Sequence, residues 1–273
     1  MIIYIPTKGR GPNQQITYNK LKAAASQCGF PMWIVCPVEE VQSFLDAGYP
    51  SVMGCPAERI GATRQWIIDN TEDPSVLMLD DDLGSWAVRE HPGVGTYVPA
   101  AEWDLRNTLI KVSDYLEIFA HVGIGARLFA NNQRAEETNA RITRAWGIRA
   151  DIIKKHGLKF TCPVDDLEMT IQLLRAGYMN RVIYTTVQDQ KMSQAPGGAS
   201  TYRTLEYHNA CQEQIHRWHK NYTRLVEKTT AGGWFNGQPR KEIVIKWTLL
   251  ELHFKPTTID AWQEHSVETR DVD

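Results

Sequence analysis

Apolar and polar residues form alternating blocks along the first half of the chain. Short runs rich in β-branched residues and apolar on both faces predict buried parallel strands. These runs lie at 2–5, 32–35, 51–53 and 76–79. Between them, apolar residues at helical spacing predict helices at 17–28, 41–47 and 61–70. The resulting βαβαβαβ order predicts an α/β fold.

The second half of the chain has a less regular pattern. Helical spacing, acidic first turns and closing glycines predict helices at 103–119, 163–178 and 201–229. Apolar runs predict strands at 121–129, 159–162, 181–187 and 242–252. A bulge is expected at Gly123 or Gly125 of the first of these strands. The polar segment 130–143 predicts a surface loop or a lid, and the composition of 194–200 predicts a flexible loop.

Composition changes this picture little. The chain has 273 residues, 42% of them hydrophobic, and its net charge of -2 excludes a uniformly basic nucleic-acid binder. The five cysteines include no CxxC pair, which argues against a disulfide framework or a structural zinc site and indicates a reducing cytoplasm. No signal peptide or membrane span is expected.

Polar clusters follow each of the four predicted parallel strands. In such a sheet, ligands bind beyond the carboxyl ends of the strands. The clusters at those ends are PTKGRG, CPVEE, CPAER and DDD. The sequence therefore predicts that all four meet at one edge of the sheet.

Three consecutive carboxylates end the fourth strand. An extended backbone would direct Asp80 and Asp82 to one side and Asp81 to the other. Two carboxylates on one side suit a hard divalent cation such as Mg²⁺ or Mn²⁺ that also takes phosphate oxygens. The alternative is a solvated turn or a helix cap.

Cations at the same edge could hold a phosphate. Lys8 and Arg10 follow the first strand, and Arg59 and Arg64 lie at the start of a predicted helix. A surface turn explains the first pair equally well, and an ion pair with the aspartates or with Glu58 explains the second.

Acidic residues also begin the helix predicted over 163–178. One of these carboxylates, Asp165, Asp166 or Glu168, could act as a general base for a hydroxyl acceptor. An acidic first turn is also common because it compensates the helix dipole.

These motifs, in this order, resemble the GT-A glycosyltransferases of the large family-2 type. The resemblance covers PTKGRG, the Arg64 helix, VLMLDDDLG and VDDLEMTIQLLRAGY, about residues 3–178. It implies a GT-A fold, a Rossmann-like nucleotide-binding sheet with helices on both faces, in a single domain with a C-terminal helical extension. Residues 1–190 would form the catalytic core, and 191–273 would bind the acceptor.

The resemblance also implies roles for individual residues. Asp82 and Asp80 would bind the metal or the ribose, and Asp166 would be the base, although Asp165 stands where glutamate is commoner. The remaining donor-binding residues would be Thr7, Lys8, Arg10, Glu39 (or Glu40), Arg59, Arg64 and Asp81.

The C-terminal third contains APGGASTYRT, then a long predicted helix with RWHKNYTRLVEK, and a terminal KW strand. With these motifs it resembles phage-encoded glycosyltransferases of hydroxymethylated DNA bases, relatives of the group found beside TET/JBP-type oxygenases. Basic residues interleave with aromatic ones at 134–155 and 202–246, as in surfaces that track phosphates and stack on bases. A solvated face is the alternative. His208 is expected to be an additional metal ligand, or else a surface or capping histidine.

The hypothesis is therefore an inverting glycosyltransferase that depends on Mn²⁺ or Mg²⁺ and acts in the cytoplasm, that of the host if the chain is phage-encoded. It would move a sugar from a nucleoside diphosphate sugar, with UDP as the expected nucleotide, to the hydroxyl of a 5-hydroxymethylpyrimidine in DNA. The alternatives are a polysaccharide, lipid or protein acceptor, a nucleotidyltransferase, or a non-catalytic DNA-binding protein.

Overall fold

The structure is a computed structural model that describes residues 1–91, 95–130, 134–160, 164–189, 201–229 and 234–253. Its strands are β1 (Ile2–Pro6), β2 (Met32–Pro37), β3 (Val52–Cys55), β4 (Ser75–Leu79), β5 (Ser85–Arg89), β6 (Tyr97–Pro99), β7 (His121–Ala126), β8 (Glu136–Thr138), β9 (Ala145–Arg149), β10 (Asn180–Asp189), β11 (Thr223–Lys228) and β12 (Arg240–Ile245). Its helices are α1 (Ile16–Gln27), α2 (Val41–Asp46), α3 (Ile60–Asn70), α4 (Glu102–Leu116), α5 (Ala150–His156), α6 (Asp165–Arg175), α7 (Leu205–Trp218) and α8 (Trp247–His253).

One large mixed sheet organises the molecule. Its strand order is β3-β2-β1-β4-β9-β7-β10-β5-β6, and β8 pairs with β10. The strands β3, β2, β1 and β4 are parallel, whereas β9 is antiparallel to both of its neighbours. The four parallel strands and three helices predicted from the first half of the sequence are confirmed.

Helices cover both faces of this sheet, as predicted. On one face, α1, α2 and α4 pack on the side chains of Ile3, Ile34 and Leu77. On the other face, α3, α5 and α6 pack around Val76 and Trp146. Alternate residues of each strand supply the two clusters, because successive side chains of a strand point to opposite faces.

A third apolar cluster joins the C-terminal segment to α6. It is made of Leu167, Ile171 and Leu174 of α6 together with residues of α7, β12 and α8, namely Cys211, Ile215, Ile243, Ile245 and Leu250. The two-stranded antiparallel sheet of β11 and β12 lies in this segment. The described residues after 200 therefore share a core with α6, the helix that precedes β10 in the chain.

Two predictions for the C-terminal segment are wrong in part. The long helix predicted over 201–229 ends at Trp218, and 223–228 form β11, because pairing with β12 offers backbone hydrogen bonds that the local pattern does not reveal. The strand predicted over 242–252 ends at Ile245 and is followed by α8.

Some predictions for the middle of the chain are also wrong. The expected surface loop at 130–143 contains β8 and the buried Ile142. Residues 159 and 160 belong to no strand, and 161–162 and 194–200 lie outside the described residues. The strand β9, buried between β4 and β7, was not predicted at all.

The glycines of β7 serve close packing rather than a bulge in their own strand. The register shifts in the partner strand, between Ile183 and Val187 of β10. A Cβ at Gly125 would lie 2.4 Å from Tyr184 Cδ1, and one at Gly123 would lie 2.7 Å from Ile142 Cγ1. Both positions therefore require glycine because side chains from neighbouring segments approach the β7 backbone.

The remaining sequence expectations concern cysteines and membranes. Among the cysteines in the described part of the chain, Cys28, Cys36 and Cys55 are free thiols. Among the helices of the described ranges, none combines the length and the apolar character that crossing a bilayer requires.

Candidate functional site

The aspartates that follow β4 lie at the carboxyl edge of the parallel strands. Asp81 is buried, with 6% of the residue exposed, and its Oδ2 accepts a hydrogen bond of 2.5 Å from the Thr7 hydroxyl. Thr7 directly follows β1, which pairs with β4. The predicted meeting of the first and fourth strand ends is therefore observed, and Thr7 and Asp81 form its buried base.

Arg10 binds two of the aspartates. Its guanidinium forms ion pairs with Asp81 and, at 3.1 Å, with Asp82 Oδ2. The loop that carries Arg10 turns at Gly9, whose φ of +66° suits glycine and whose N–H donates to Glu40 Oε1 at 2.9 Å. Glu40 thus contacts the loop after β1, whereas Glu39 is exposed.

The Arg10 guanidinium binds Asp82 together with Asp81, whereas Asp80 is bound by Arg64. The predicted alternation of side chains requires an extended backbone. However, β4 ends at Leu79, and Asp81 and Asp82 already form a turn.

Arg64 joins the end of β4 to the start of α6. It projects from α3, is only 5% exposed, and donates to Asp80 Oδ1 and to Asp165 Oδ1 at 2.8 Å each. Its guanidinium carbon lies 4.9 Å from the centroid of the buried Trp146 ring. The ion pair proposed from the sequence for Arg64 is therefore present, and it ties together three elements.

The two acids at the start of α6 differ in accessibility. Asp165 is 2% exposed, and its Oδ2 has no hydrogen-bond partner within the described ranges. Burial raises the pKa of the Asp165 carboxyl, and the charge of Arg64 opposes this rise. Asp166 is only partly buried, and its Oδ1 accepts a hydrogen bond of 2.8 Å from the N–H of Leu167. Asp165 is thus engaged with Arg64, whereas Asp166 remains within reach of solvent.

Residues of the C-terminal segment reach the same edge of the sheet. The Tyr202 hydroxyl accepts the N–H of Ile60 at 3.0 Å, in the first turn of α3. Arg59 donates to the Tyr207 hydroxyl at 3.1 Å and lies over its ring at 4.7 Å. Nearby, Lys8 Nζ donates to the carbonyl of Glu58 at 3.0 Å. The sequence indicated the cations of this contact but not its two tyrosines.

Arg144 is a further cation beside the aspartates that the sequence did not assign to this site. Its carbonyl accepts the N–H of Asp80 at 2.9 Å, and its φ of +66° is unusual for a residue other than glycine. Its side chain is 22% exposed and is held by Asp189 across 3.5 Å. The sequence contained no signal for this role, because neither β9 nor the left-handed backbone of Arg144 is visible in the pattern.

The contacts that the structure describes for His208 lie around β12 of the C-terminal sheet. Its Nε2 lies 3.1 Å from the Lys241 carbonyl and 3.9 Å from Glu242 Oε1, and its ring lies 5.4 Å from the Phe235 ring. Burial lowers the pKa of its imidazole. Its role as a metal ligand stays a prediction.

The aspartates fit a hard divalent cation by ligand type, but they are few. No group of three or more histidine, cysteine or acidic side chains within the described ranges could hold a metal ion. Asp80 and Asp82 are partly exposed, with 31% and 19% of their side chains accessible, and an arginine binds one oxygen of each. Diphosphate oxygens and water would have to supply the other ligands, as is usual for Mg²⁺.

Several solved structures resemble this chain at low identity. Glucosyl-3-phosphoglycerate synthase from Mycobacterium tuberculosis, in complex with Mn²⁺, UDP and phosphoglyceric acid, has a TM-score of 0.49 at 8% identity, covering 89% of this chain and 86% of that one. A mutant β-1,4-galactosyltransferase 7 from Drosophila, with manganese, UDP-Gal and xylobiose, has a TM-score of 0.43 at 8% identity over 90% and 94%. CMP:2-keto-3-deoxy-manno-octonic acid synthetase with CTP has 0.43 at 13% over 81% and 98%.

The family match is more specific than these likenesses. No curated protein matches the sequence closely enough to count as a relative. The model of the TET-associated glycosyltransferases matches residues 1–198, which is more than half of the chain and includes the whole edge formed by Thr7, Arg64, the three aspartates and Asp166. The predicted GT-A-like α/β fold is confirmed, and so is the prediction of a glycosyltransferase. The chain belongs to the TET-associated glycosyltransferase family.

Proposed function

We propose that this glycosyltransferase moves a sugar, with inversion, from a nucleoside diphosphate sugar to the hydroxyl of a 5-hydroxymethylpyrimidine in DNA. The observation that carries this proposal is the pair of 2.8 Å contacts from Arg64 to Asp80 and to Asp165. They hold the acidic end of β4 next to the acids that begin α6. The donor diphosphate, at the end of β4, would thus lie next to a proton acceptor at the start of α6.

The donor would lie across the ends of β1, β3 and β4. Asp80 and Asp82 would hold Mn²⁺ or Mg²⁺ there, and the bound cation would neutralise charge on the diphosphate as it leaves. Arg10 and Arg64 are engaged with aspartates, so Lys8, Arg59 and Arg144 are the cations that would turn to the donor. Glu39, Glu40 and Thr7 line the same edge, where the nucleoside would be bound.

Asp166 would act as the general base. The acceptor oxygen forms a bond to the anomeric carbon of the sugar while the bond from that carbon to the diphosphate oxygen breaks, and the hydroxyl proton passes to Asp166. The partly exposed Asp166 suits this role better than Asp165, which is buried and bound to Arg64. Asp165 would instead fix the position of the first turn of α6.

The DNA acceptor is supported by the family's description as TET-associated and by the resemblance of the C-terminal third. Residues 1–190 would form the catalytic core, and 191–273 would contribute to acceptor binding. A base inside a duplex must be flipped out to reach Asp166, at a cost of about a few kcal/mol. The reaction is therefore expected to favour mismatched or single-stranded substrates.

A screen of labelled UDP- and GDP-sugars against hydroxymethylated and unmodified DNA tests donor and acceptor together. We expect transfer only to hydroxymethylated DNA, and we expect EDTA to stop it. Transfer to a polysaccharide, lipid or protein fraction instead would remove the DNA acceptor but keep the enzyme class.

Three variants test the residue roles. Asp166→Asn should abolish transfer but retain UDP binding, and Asp82→Ala should abolish Mn²⁺-dependent UDP binding in titration calorimetry. Asp69→Asn is a matched control, because Asp69 is an exposed carboxylate on α3 whose described partner is Gln65. Full transfer by Asp166→Asn would remove Asp166 as the base.

A further inference from the structure

A second basic surface lies away from the aspartates, where α6 and α7 end. A cleft of about 620 Å³ is lined there by Lys220, Asn221, Tyr222, Lys246 and Leu249. We call this cleft, together with Trp218 and Arg175 at its border, the basic corner. None of the described residues that line the cleft is acidic.

The lysines of the basic corner differ from other cations of the same segment. Lys241 forms an ion pair with Glu213, and Arg240 forms one with Glu242. Within the described ranges, by contrast, neither Lys220 nor Lys246 has an acidic partner, and Lys246 Nζ contacts only the Asn221 carbonyl at 3.5 Å. The chain therefore leaves two positive charges side by side at this place, although its net charge is -2.

Aromatic side chains accompany these charges. Trp218 is 46% exposed, which is unusual for such a large apolar side chain. The Arg175 guanidinium lies 5.4 Å from the centroid of the Tyr222 ring, and its Nη1 lies 2.9 Å from His219 Nδ1. Exposed cations combined with flat aromatic faces are typical of surfaces that contact nucleic acids.

A second cleft continues this surface. Trp247, which follows Lys246 in the chain, lines a cleft of about 580 Å³. Its charged residues are three arginines and two glutamates: Arg134, Arg141, Arg181, Glu136 and Glu137. Ion pairs with Arg134 and Arg181 engage the two glutamates. The basic corner is thus the more strongly positive part of a longer surface.

The basic corner lies within reach of DNA that is bound at the catalytic edge. The helix α6 begins at Asp165 and Asp166 and ends at Arg175. Eleven residues of α-helix span roughly 16 Å, which corresponds to about five base-pair steps of 3.4 Å. A duplex that presents a base to Asp166 can therefore place its backbone a few nucleotides away against the corner.

We propose that the basic corner binds the phosphate backbone of the acceptor DNA, several nucleotides from the modified base, with Lys220 and Lys246 as its phosphate contacts. This inference rests on the proposed function, since it assumes a DNA acceptor. It assigns sequence-independent affinity to the C-terminal segment and leaves recognition of the hydroxymethyl group to the catalytic edge.

The test compares the intact wild-type chain with Lys220→Ala/Lys246→Ala in titrations of fluorescent hydroxymethylated duplex over a range of salt concentrations. The slope of log affinity against log salt should fall by about 1.8, which is two contacts at about 0.9 each. The KM for DNA should rise, whereas UDP binding and the melting temperature should not change. The matched control is Lys20→Ala/Lys22→Ala, two exposed lysines on α1, which packs on the opposite face of the sheet from α6.

Two negative results of this experiment can be distinguished. If wild-type protein binds DNA with a steep salt dependence and the double variant has the same slope, the basic corner is wrong while the proposed function stands. If the wild-type chain binds no DNA even at low salt and glycosylates another acceptor, the DNA acceptor and the basic corner are both wrong. Asp166→Asn, which should bind DNA like the wild type but transfer no sugar, separates DNA binding from catalysis.

Discussion

Two arginines hold the acidic residues at the carboxyl edge of the sheet, and their surroundings differ. Arg64 is 5% exposed and joins β4 to α6, residues that are far apart in the chain. Arg10 has 12% of its side chain exposed and binds Asp81 and Asp82 within one turn. The bridge made by Arg64 fixes the separation of β4 and α6. Arg10 is the more exposed of the two guanidiniums; it links the loop after β1 to the turn after β4 and holds two adjacent carboxylates. The comparison indicates that Arg64 positions β4 against α6, whereas Arg10 positions Asp81 and Asp82.

The largest effect should come from Arg64→Met. This change leaves Asp80 and Asp165 without their shared counter-charge, and removing one partner of a buried pair costs about 3–5 kcal/mol. Urea unfolding should show this loss, together with loss of transfer. The double variant Arg64→Met/Asp165→Asn should be less destabilised than the sum of its single variants. Strict additivity would show that the two residues do not act as a pair.

Arg10→Ala should cost less. Asp81 keeps its hydrogen bond from Thr7, so the expected loss is that of one buried, partly satisfied acceptor, about 2 kcal/mol. UDP affinity should fall more than stability does, since Arg10 contacts both Asp81 and Asp82. If Arg10→Ala destabilises the protein as much as Arg64→Met, the contrast between the two arginines is wrong.

A buried group without a counter-charge sharpens the contrast with Arg64. The His121 ring packs against the same indole, with its centroid 5.4 Å from that of Trp146, but neither of its ring nitrogens has a hydrogen-bond partner among the described residues. Burial lowers the pKa of His121 to about 3. The unfolded imidazole takes up a proton below about pH 6.5 and the folded one does not, so stability present at pH 7 is lost as the pH falls towards 3.

The expected size is about 1 kcal/mol between pH 7 and pH 5.5. His121→Leu should remove this part of the pH dependence in urea unfolding. His219, with a pKa lowered to about 4 by burial, should still contribute in the variant, so the measured quantity is the difference from wild type. Identical pH profiles for the two proteins would contradict the assignment.

The last expected effect, at Arg144, concerns donor binding rather than stability. Arg144→Asn keeps a residue that tolerates a left-handed backbone but removes the charge next to Asp80. Loss of a charge-assisted hydrogen bond to the diphosphate should raise the KM for the sugar nucleotide roughly tenfold and change kcat little. Arg141→Asn is the control, because Arg141 is exposed and lies three residues away. An unchanged KM for Arg144→Asn would leave Arg144 without a role in donor binding.

The first four strands could be predicted because their information is local. Each is a short apolar run between two helices of clear period, and each helix buries one face. The strand β9 could not, because its sequence, AWGIR, contains a single β-branched residue and follows a polar segment rather than a predicted helix, and Gly147 lies at its centre. A Cβ at that position would lie 2.8 Å from Leu116 Cδ1, so close packing against α4 requires a glycine there. Such a requirement is not visible in the sequence pattern.

The residues of the candidate site can likewise be divided into those that the sequence predicted and those that it did not. Residue types and strand ends predicted that Thr7, Arg10, Arg64 and the aspartates would meet. Which carboxylate each arginine binds depends on where α6 and β9 lie, and the pattern gave no information on that. Arg144 and Tyr207 were missed as site residues for this reason, since both reach the edge from segments whose positions are set by tertiary packing.

The third apolar cluster has a consequence for protein engineering. The family match ends at residue 198, before α7, yet α7 and β12 cover Leu167, Ile171 and Leu174 of α6. A fragment cut at that boundary would expose this stripe on the helix whose first turn carries Asp166, and we expect it to aggregate. Chimeras that exchange acceptor regions between relatives should therefore move α6 together with everything that follows it.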